Sequence, residues 1–282
     1  MHKVKLRPMS VKWKEFEDAV FEECQRAFHF RDAEVLRDVH LLGKDSGVKR
    51  QIDVLVRQKK GDEETIILIE CKHYTSKINV KIVDAFIGCL EDVGADKGVI
   101  VSENGFTKAA IDRAHKGKND IEVDIVSLGE LRQFQAVGSF VYSGRNALAV
   151  SAPFGWIIDG TRRGFAPAVL YRRGIAFEDV TEKEKEWMYL QFWDKRTNLD
   201  TMENLIAAQN DALMMHDDRA ELKLFCVDGL TVREYYSSTY PTPEITVFKE
   251  FEQFIVFGVL YCPECYIDRQ VSSFKCNFLE QD

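Results

Sequence analysis

The residues with the clearest chemical meaning lie in two apolar runs separated by a polar turn. Asp53 lies in the first run, Glu70 and Lys72 end the second, and residues 58–64 between them are polar, which together predict a β-hairpin. Because side chains alternate along a strand, Glu70 and Lys72 share one face, and the hairpin can bring Asp53 to the same surface. Two carboxylates beside one ammonium group suit a divalent cation and a phosphodiester.

The chemistry explains why these residue types are needed. Mg²⁺ prefers carboxylate oxygens, and held here it would polarise a phosphoryl group and lower the pKa of a bound water. Lys72 would add a fixed positive charge near the reacting phosphorus. A surface hairpin with solvated charges is the alternative, but Glu70 and Lys72 end an apolar run in which unpaired charges are costly. We therefore predict Asp53 and Glu70 as metal ligands, with Lys72 as a catalytic residue.

The segments around the hairpin alternate between helical and extended patterns. Such an order predicts an α/β core, with a mixed central sheet flanked by helices on both faces. The predicted helices and strands are helix 11–30, strands 33–41, 51–57 and 65–72, helix 81–92, strand 97–101, helix 107–116, strand 121–126 and a short helix 128–134.

Asp53 followed by Glu70-x-Lys72 resembles the signature of the restriction-endonuclease-like superfamily, and most of all its Mrr-like branch of type IV restriction nucleases. The resemblance extends over about residues 11–132. Ile52 replaces a proline of the wider motif, and the glycine-rich lead-in is reduced to Gly43 and Gly47. The other segments that match the branch are 13–17 at the start of the first helix, 78–80 before the next helix, strand 95–102, and 104–110, which contains Gly-Phe-Thr-x-x-Ala.

The resemblance implies a Mg²⁺-dependent nuclease, with Mn²⁺ as a substitute, that acts as an endonuclease on double-stranded DNA in defence against foreign DNA. Cutting both strands would need two sites, which a homodimer could supply. The alternative is a nucleic-acid-binding or sensing protein that keeps the fold without cleaving. The family also implies a further acidic residue from the first helix, here Glu17, although Glu17 could instead be one more charge of an acidic helix.

Four further residues near the motif are candidates for contact with a phosphate backbone. These are His73, Tyr74, Lys81 and Thr107, the last at a predicted helix start where free amides attract phosphate. A solvated surface role is the interpretation that we favour for each of them.

Composition limits the class of protein. The length of 282 residues predicts two domains, at 1–140 and 141–282, and 45% hydrophobic with 30% charged residues is typical of a globular protein. No apolar run is long enough for a membrane span, and the N-terminus lacks the apolar core of a signal peptide. Seven cysteines suggest a reducing cytoplasm, and no membrane partner is expected.

The net charge of −8 is unevenly distributed. Residues 1–140 contain 23 basic and 24 acidic side chains, whereas the remainder contains 15 and 22. The N-terminal half is thus close to neutral. Nucleic acid can bind such a domain through a local basic rim and a bound cation.

Residues 141–282 resemble no family that we recognise. Predicted strands and one helix, 199–216, indicate an α+β domain, and a target-selecting or regulatory role is the natural hypothesis for a domain attached to a nuclease. Two arginine pairs, 162–163 and 172–173, could contact phosphate, but solvated loops are the favoured interpretation. The predicted strands are two within 146–159, then 169–171, 222–227, 231–235 and 254–261.

Cys262-Pro263-Glu264-Cys265 resembles half of a zinc knuckle, and Cys276 could add a third thiolate. A structural zinc ion normally needs four ligands, and no fourth ligand is evident nearby. We therefore expect no zinc site at Cys262, Cys265 and Cys276, and we predict that Cys262 and Cys265 are half-buried thiols in a strand and turn.

Overall fold

The computed structural model divides the chain into two compact units, Met1–Phe134 and Gln135–Asp282. Each unit has its own core. The boundary predicted from sequence, at 140, stays a prediction. The structure describes residues 9–28, 33–60, 63–115, 121–132, 138–161, 163–180, 186–197, 201–227, 229–240, 242–263, 267 and 278–279.

The first unit is built on one five-stranded sheet with the order β1-β2-β3-β4-β5. The first three strands form an antiparallel meander, and β3, β4 and β5 run parallel to one another. This confirms the predicted α/β core with a mixed sheet. Its elements are α1 (Met9–Phe28), β1 (Ala33–Leu42), β2 (Lys49–Lys60), β3 (Glu63–Lys72), α2 (Val80–Val93), β4 (Lys97–Ser102), α3 (Lys108–His115), β5 (Glu122–Ser127) and α4 (Leu128–Arg132).

Helix α2 supplies much of the core beside β3. The Asn79 side chain accepts a hydrogen bond from the Lys81 amide at the N-terminus of the helix, and Gly94 ends it in a left-handed conformation. Its buried residues, Phe86 and Leu90 among them, pack with Leu68 of β3 in one cluster that also contains α3 residues. Burial of an apolar side chain of this size contributes about 1.5–3 kcal/mol, so packing rather than local propensity fixes the helix on the sheet.

Asp92, near the C-terminus of α2, holds the turn between β1 and β2. Its carboxylate accepts hydrogen bonds from the Ser46 amide and hydroxyl, at 2.9 and 2.7 Å, and from Arg50 Nε at 2.8 Å. A Cβ atom at Gly43 would overlap that carboxylate, so glycine is required there. These hydrogen bonds, led by those of Ser46, hold the pKa of Asp92 well below its usual value. One buried carboxylate therefore fixes the turn that leads into the strand of Asp53.

The second unit contains a seven-stranded antiparallel sheet, ordered β11-β12-β13-β14-β10-β9-β8, and a three-stranded sheet ordered β15-β7-β6. Together with helix α6 they confirm the predicted α+β class. Strands β6, β10, β13 and β15 were not predicted. The elements are β6 (Gly138–Ser143), β7 (Asn146–Ser151), β8 (Trp156–Asp159), β9 (Ala168–Arg172), α5 (Phe177–Asp179), β10 (Trp187–Asp194), α6 (Met202–His216), β11 (Glu221–Val227), β12 (Leu230–Tyr236), β13 (Glu244–Glu250), β14 (Phe254–Tyr261) and β15 (Phe278–Leu279).

The prediction of solvated loops for the arginine pairs is wrong for two of their members. Arg172 ends strand β9, is buried, and pairs with Glu186 at 3.2 Å. Arg163 pairs with Asp159 at 2.8 Å and lies 3.9 Å from the centre of the Phe177 ring. Carboxylates within the same domain thus already compensate the charges of Arg163 and Arg172. Arg162 lies outside the described residues.

Of the cysteines considered for zinc, Cys262 is buried, and Cys265 and Cys276 lie outside the described residues. Among the helices that the structure describes, none is both long and apolar enough to cross a membrane.

We expect Asp92→Asn to lower the melting temperature by several degrees at pH 7, because the amide cannot accept all of these hydrogen bonds. A carboxyl group with a lowered pKa in the folded state stabilises above its unfolded pKa of about 3.9, and this contribution is lost as pH falls through the folded value. The difference between the parent and Asp92→Asn should therefore shrink below about pH 4. Thermal melts with the neighbouring exposed Glu91→Gln as control would check this, and equal melting temperatures at pH 7 would refute it.

Candidate active site

The site lies where strands β2 and β3 separate. Their antiparallel pairing ends at Val54 opposite Ile69, so Asp53 and Glu70 are the first residues beyond the paired segment. The Cys71 amide, which has no strand partner at this point of the β2–β3 ladder, donates a hydrogen bond to Asp53 Oδ2 at 2.7 Å. The Asp53 carboxylate thus replaces a backbone acceptor and is held beside the Glu70-Cys71-Lys72 segment.

Glu70 and Lys72 form an ion pair in which both side chains are mostly buried, with 23% and 19% of their surfaces exposed. Burial alone would lower the pKa of Lys72, but the charge and hydrogen bond of Glu70 outweigh this and raise the pKa above its ordinary value. Lys72 is therefore a permanent cation at neutral pH. The structure confirms that Glu70 and Lys72 share one face of β3.

Glu70 and Lys72 line a cleft of about 450 Å³ between the start of β2 and helix α2. The wall contributed by β2 includes Lys49 and Arg50, and the wall contributed by α2 includes Lys81. Lys49 and Lys81 are exposed, whereas Arg50 is bound to Asp92 at 2.7 Å. Glu70 and Asp92 balance two of the four basic side chains, and the exposed Lys49 and Lys81 leave the cleft electropositive, which suits a polyanion.

Asp53 opens onto a second cleft, of about 340 Å³, that is lined by α1 together with β1 and β2. Glu17 of α1 and Asp38 of β1 line the same cleft. Burial raises the pKa of Asp53 to about 6; the Cys71 amide opposes this shift, and the charges of Glu70 and Glu17 add to it. Burial and the charge of Asp38 also raise the pKa of Glu17. Burial first, and repulsion between carboxylates second, therefore disfavour the ionised forms of Asp53 and Glu17.

The four residues predicted from the sequence are close enough for the charge of Asp53 to interact with those of the other three. They do not, however, line one pocket. Asp53 and Glu17 line the cleft beside α1, whereas Glu70 and Lys72 line the cleft beside α2. Within the described part of the chain, no three His, Cys, Asp or Glu side chains are close enough together to form a complete metal site.

The residues present nevertheless fit a divalent cation. Asp53 and Glu70 offer hard carboxylate oxygens from two adjacent strands, and burial, which raises the pKa of Asp53, makes a bound cation a favourable partner for its ionised form. Mg²⁺ characteristically takes only one or two carboxylates and keeps several waters, so two protein carboxylates are enough for it.

Other candidates from the sequence have different surroundings. His73 is not a solvated surface residue: its Nε2 lies 3.0 Å from Glu103, and its ring packs edge-on against Phe16 at 5.4 Å. Tyr74 is 43% exposed and Lys81 lies in the electropositive cleft, so both face solvent as favoured. The Thr107 hydroxyl accepts from the Ala110 amide at 3.3 Å and is engaged at the start of α3.

Sequence reasoning missed Asp38 and Gln51. Asp38 has a φ of 49° and is the one non-glycine residue with positive φ in the part of the chain that the structure describes. Gln51 Nε2 donates to Asp38 Oδ1 at 2.9 Å, and both residues line the Asp53 cleft. A signal was present: the apolar residues Leu36 and Val39 are three apart, which a regular two-residue alternation does not allow on one face.

Comparison with known protein families finds a match for the first unit. Residues 8–134, somewhat less than half of the chain, match the Mrr_cat family model, which is described as restriction endonuclease. No curated protein matches the chain.

Similar solved structures add little to this assignment. A protein of unknown function, AF1548, is 20% identical with a TM-score of 0.31, over 39% of this chain and 57% of that one. PsbP from Synechocystis sp. PCC 6803 is 16% identical with a TM-score of 0.32, over 51% and 91%. MspJI restriction endonuclease, in complex with a 27-mer oligonucleotide, is 18% identical with a TM-score of 0.31, over 43% and 29%.

These TM-scores are too low to indicate a shared function. The assignment depends on the family model, which covers Asp53, Glu70 and Lys72. By this match, residues 8–134 are similar to the restriction endonuclease domain of the Mrr type.

Proposed function

We propose that this protein is a Mg²⁺-dependent nuclease that hydrolyses phosphodiester bonds within double-stranded DNA. One observation carries the proposal: Asp53 and Glu70 emerge together where β2 and β3 separate, with the Lys72 ammonium group bound to Glu70, inside a restriction endonuclease domain. Mn²⁺ is expected to replace Mg²⁺ because it accepts the same oxygen ligands.

Asp53 and Glu70 would hold the cation, and Lys72 would act beside them. When bound, the cation supplies positive charge to the phosphoryl oxygens and activates water. With Asp53 and Glu70 engaged as ligands, Lys72 would no longer be paired with Glu70 alone. The Lys72 ammonium group can then stabilise charge that develops on the phosphoryl oxygens or hold the attacking water.

The electropositive cleft supports a nucleic acid as the substrate. Lys49 and Lys81 are exposed and line the same cleft as Glu70 and Lys72, where each could contact a phosphate group. A homodimer would place two such sites on a duplex. We further propose a role in defence against foreign DNA. The seven cysteines are consistent with a reducing cytoplasm as the place of action.

The alternative is a non-cleaving protein that binds or senses nucleic acid with the same fold. The mostly buried Glu70 and Lys72 argue against this alternative, because buried charges cost stability and a site without catalytic function has no need for them. Incubation of the purified protein with plasmid, with Mg²⁺, with Mn²⁺ and with a chelator, separates the two. Metal-dependent nicking or linearisation supports the nuclease, and an intact plasmid under all conditions supports the alternative.

We expect Asp53→Ala and Glu70→Ala each to abolish plasmid cleavage and to weaken Mn²⁺ binding measured by calorimetry, because each removes a carboxylate ligand. Glu64→Ala, an exposed carboxylate at the other end of β3, is the matched control and should keep both. Glu17→Gln should reduce the rate less than either ligand variant. Unchanged Mn²⁺ affinity in the Asp53→Ala, Glu70→Ala double variant would contradict the assignment.

Lys72→Ala should leave Mn²⁺ and DNA affinity nearly intact, because an ammonium group cannot bind the cation. The single-turnover rate should fall by about 10²–10³-fold, the usual effect of removing one group that stabilises transition-state charge. Lys72→Arg should restore only part of the rate, since a planar guanidinium group distributes its charge differently. Cleavage at the parental rate by Lys72→Ala would remove the main support for the nuclease.

Asp53→Asn should make the metal-free protein more stable at pH 8. The folded pKa of Asp53 is raised to about 6, by burial first, and the unfolded value is about 3.9. Between these two pH values, the folded state therefore binds more protons than the unfolded state. As pH rises through this range, Asp53 ionises and the free energy of unfolding falls by up to about 2–3 kcal/mol. Urea unfolding in a chelator should show the advantage of Asp53→Asn at pH 8 and its loss by pH 4.

Adding Mg²⁺ at pH 8 should stabilise the parent and not Asp53→Asn, since only the parent gains a compensating charge. A stability difference that is independent of pH would show that Asp53 is not electrostatically strained in the folded protein.

A further inference from the structure

Exposed apolar side chains of the first unit are concentrated beside the electropositive cleft. In the described part of this unit, the exposed large apolar side chains are Leu42, Val48, Tyr74 and Ile111. Val48 and Tyr74 line the cleft, and Leu42 pairs with Lys49, which lines it too. Single exposed apolar residues are ordinary, but three beside one charged cleft mark a candidate binding surface. We refer to Leu42, Val48 and Tyr74 as the apolar rim.

The turn between β1 and β2, which carries two members of the rim, is held rigidly. The Gly43 amide donates to the Val48 carbonyl at 2.8 Å, and the Asp92 carboxylate accepts from the Ser46 amide at 2.9 Å. The Lys44 amide donates to the Asp92 carbonyl, and the Lys44 ammonium group lies against the C-terminus of α2, where positive charge is favourable. A surface that is fixed in advance loses little entropy on binding, which favours a binding role for this turn.

Each member of the rim has a lysine beside it. Leu42 lies directly opposite Lys49 in the β1–β2 ladder, and Val48 precedes Lys49 in the chain. The Lys72 ammonium nitrogen lies 6.0 Å from the centre of the Tyr74 ring. Lysine is depleted at interfaces between proteins, whereas interfaces with nucleic acid are strongly positive. The mixture of apolar side chains and lysines therefore favours nucleic acid as the partner of the rim.

The rim lies within reach of a duplex that is bound at the proposed catalytic residues. Lys49 and Asp53 are four residues apart on β2, which corresponds to about 13 Å at the usual rise of a strand. This distance is close to the width of the major groove of DNA, about 12 Å. Residues 43–48 contain one lysine and one aspartate and are neutral as a set. Their apolar side chains can therefore enter a groove while Lys49 contacts a phosphate group.

We propose that the apolar rim contacts bases and sugars in a groove of duplex DNA and so positions the duplex beside Glu70 and Lys72. The proposal rests on the proposed function, in which DNA is the substrate. In this proposal the rim contacts neither the cation nor the phosphate group that is cut. It contributes affinity that does not depend on salt, whereas Lys49 and Lys81 contribute affinity that falls as salt rises.

The salt dependence of DNA binding separates these two contributions. The affinity of the full-length protein for a labelled duplex is measured by fluorescence anisotropy in a chelator, at several salt concentrations. The Leu42→Ser, Val48→Ser double variant should bind about tenfold more weakly at every salt concentration, because it loses apolar contacts but no phosphate contact. Lys49→Ala should instead reduce the slope of log affinity against log salt by about one. Ile111→Ser, which removes an exposed apolar side chain from α3, is the matched control and should bind like the parent.

The chemical step should not change in the double variant. Its single-turnover rate with Mg²⁺ and saturating protein should stay within about twofold of the parental rate, because a loss of uniform binding changes affinity and not rate. Its Mn²⁺ affinity should also be parental. Both substituted side chains are exposed, so the variant should fold, and thermal melts would check this.

Tyr74 provides an independent test, which decides the proposal if the double variant does not fold. Tyr74→Ser should weaken DNA binding without changing the salt slope. Tyr74→Phe keeps the aromatic ring and should restore most of the parental affinity.

Parental DNA affinity in the folded double variant, or in Tyr74→Ser where the double variant does not fold, would overturn the proposal. If the parent still cuts DNA, the proposed function would stand. A smaller salt slope in the double variant would also overturn the proposal, because the substitutions would then act through phosphate contacts. Loss of self-association with parental DNA affinity would assign the rim to a second copy of the chain instead.

Two results for the parent protein bear on the proposed function. A parent that binds DNA but does not cut it would refute the nuclease, and the affinities of the rim variants would still decide the role of the rim. A parent that binds no DNA would refute both proposals.

Discussion

The separation of β2 from β3 at Asp53 and Glu70 is the constraint on which the rest of the site depends. Up to Val54 and Ile69 the strands pair through their backbones, and beyond them one carboxylate takes over as acceptor for the Cys71 amide. This arrangement holds acidic groups close together in partly buried positions. Proteins retain such costly arrangements where the charges have a function, and here a divalent cation is the partner that would compensate them.

The surrounding elements maintain this separation from several sides. Helix α2 fixes the turn before β2 through Asp92, and it also forms one wall of the electropositive cleft. Helix α1 covers the other side and contributes Glu17. Between them, the β1–β2 ladder is interrupted at Asp38 and Asp53, which form no pair. Local strain at Asp38, neighbouring carboxylates and a mostly buried ion pair therefore occur around one site, as expected where function competes with stability.

Much of the first unit could be predicted from its sequence because its apolar periodicity is strong. Helix α2 and strand β4, for example, end within one residue of their predicted bounds, since buried apolar residues and Gly94 mark them clearly. The site could be predicted only in part. Alternation placed Glu70 and Lys72 on one face, but it fails at Asp38 and Asp53, where a non-local interruption of two strands decides the direction of the side chains.

The second unit shows why weaker patterns mislead. Strand β10 follows residues rich in glutamate and lysine and contains Trp187, Tyr189 and Trp193 on one face, where apolar partners come from β14 and helix α6. Arg172 resembles a loop residue in sequence, yet its burial depends on Glu186, fourteen residues away. The residues that pack against β10 and the carboxylate that pairs with Arg172 cannot be identified from local sequence. Both depend on how distant segments of the chain align.

The position of a bound cation tests the central claim most directly. Crystals grown with Mn²⁺ and measured at its absorption edge would show where the ion lies. The account predicts one anomalous peak within about 2.0–2.3 Å of carboxylate oxygens of both Asp53 and Glu70, with water filling the remaining positions. A peak held by Glu17, Asp38 and Asp53 without Glu70, or no peak in this region at saturating Mn²⁺, would contradict it.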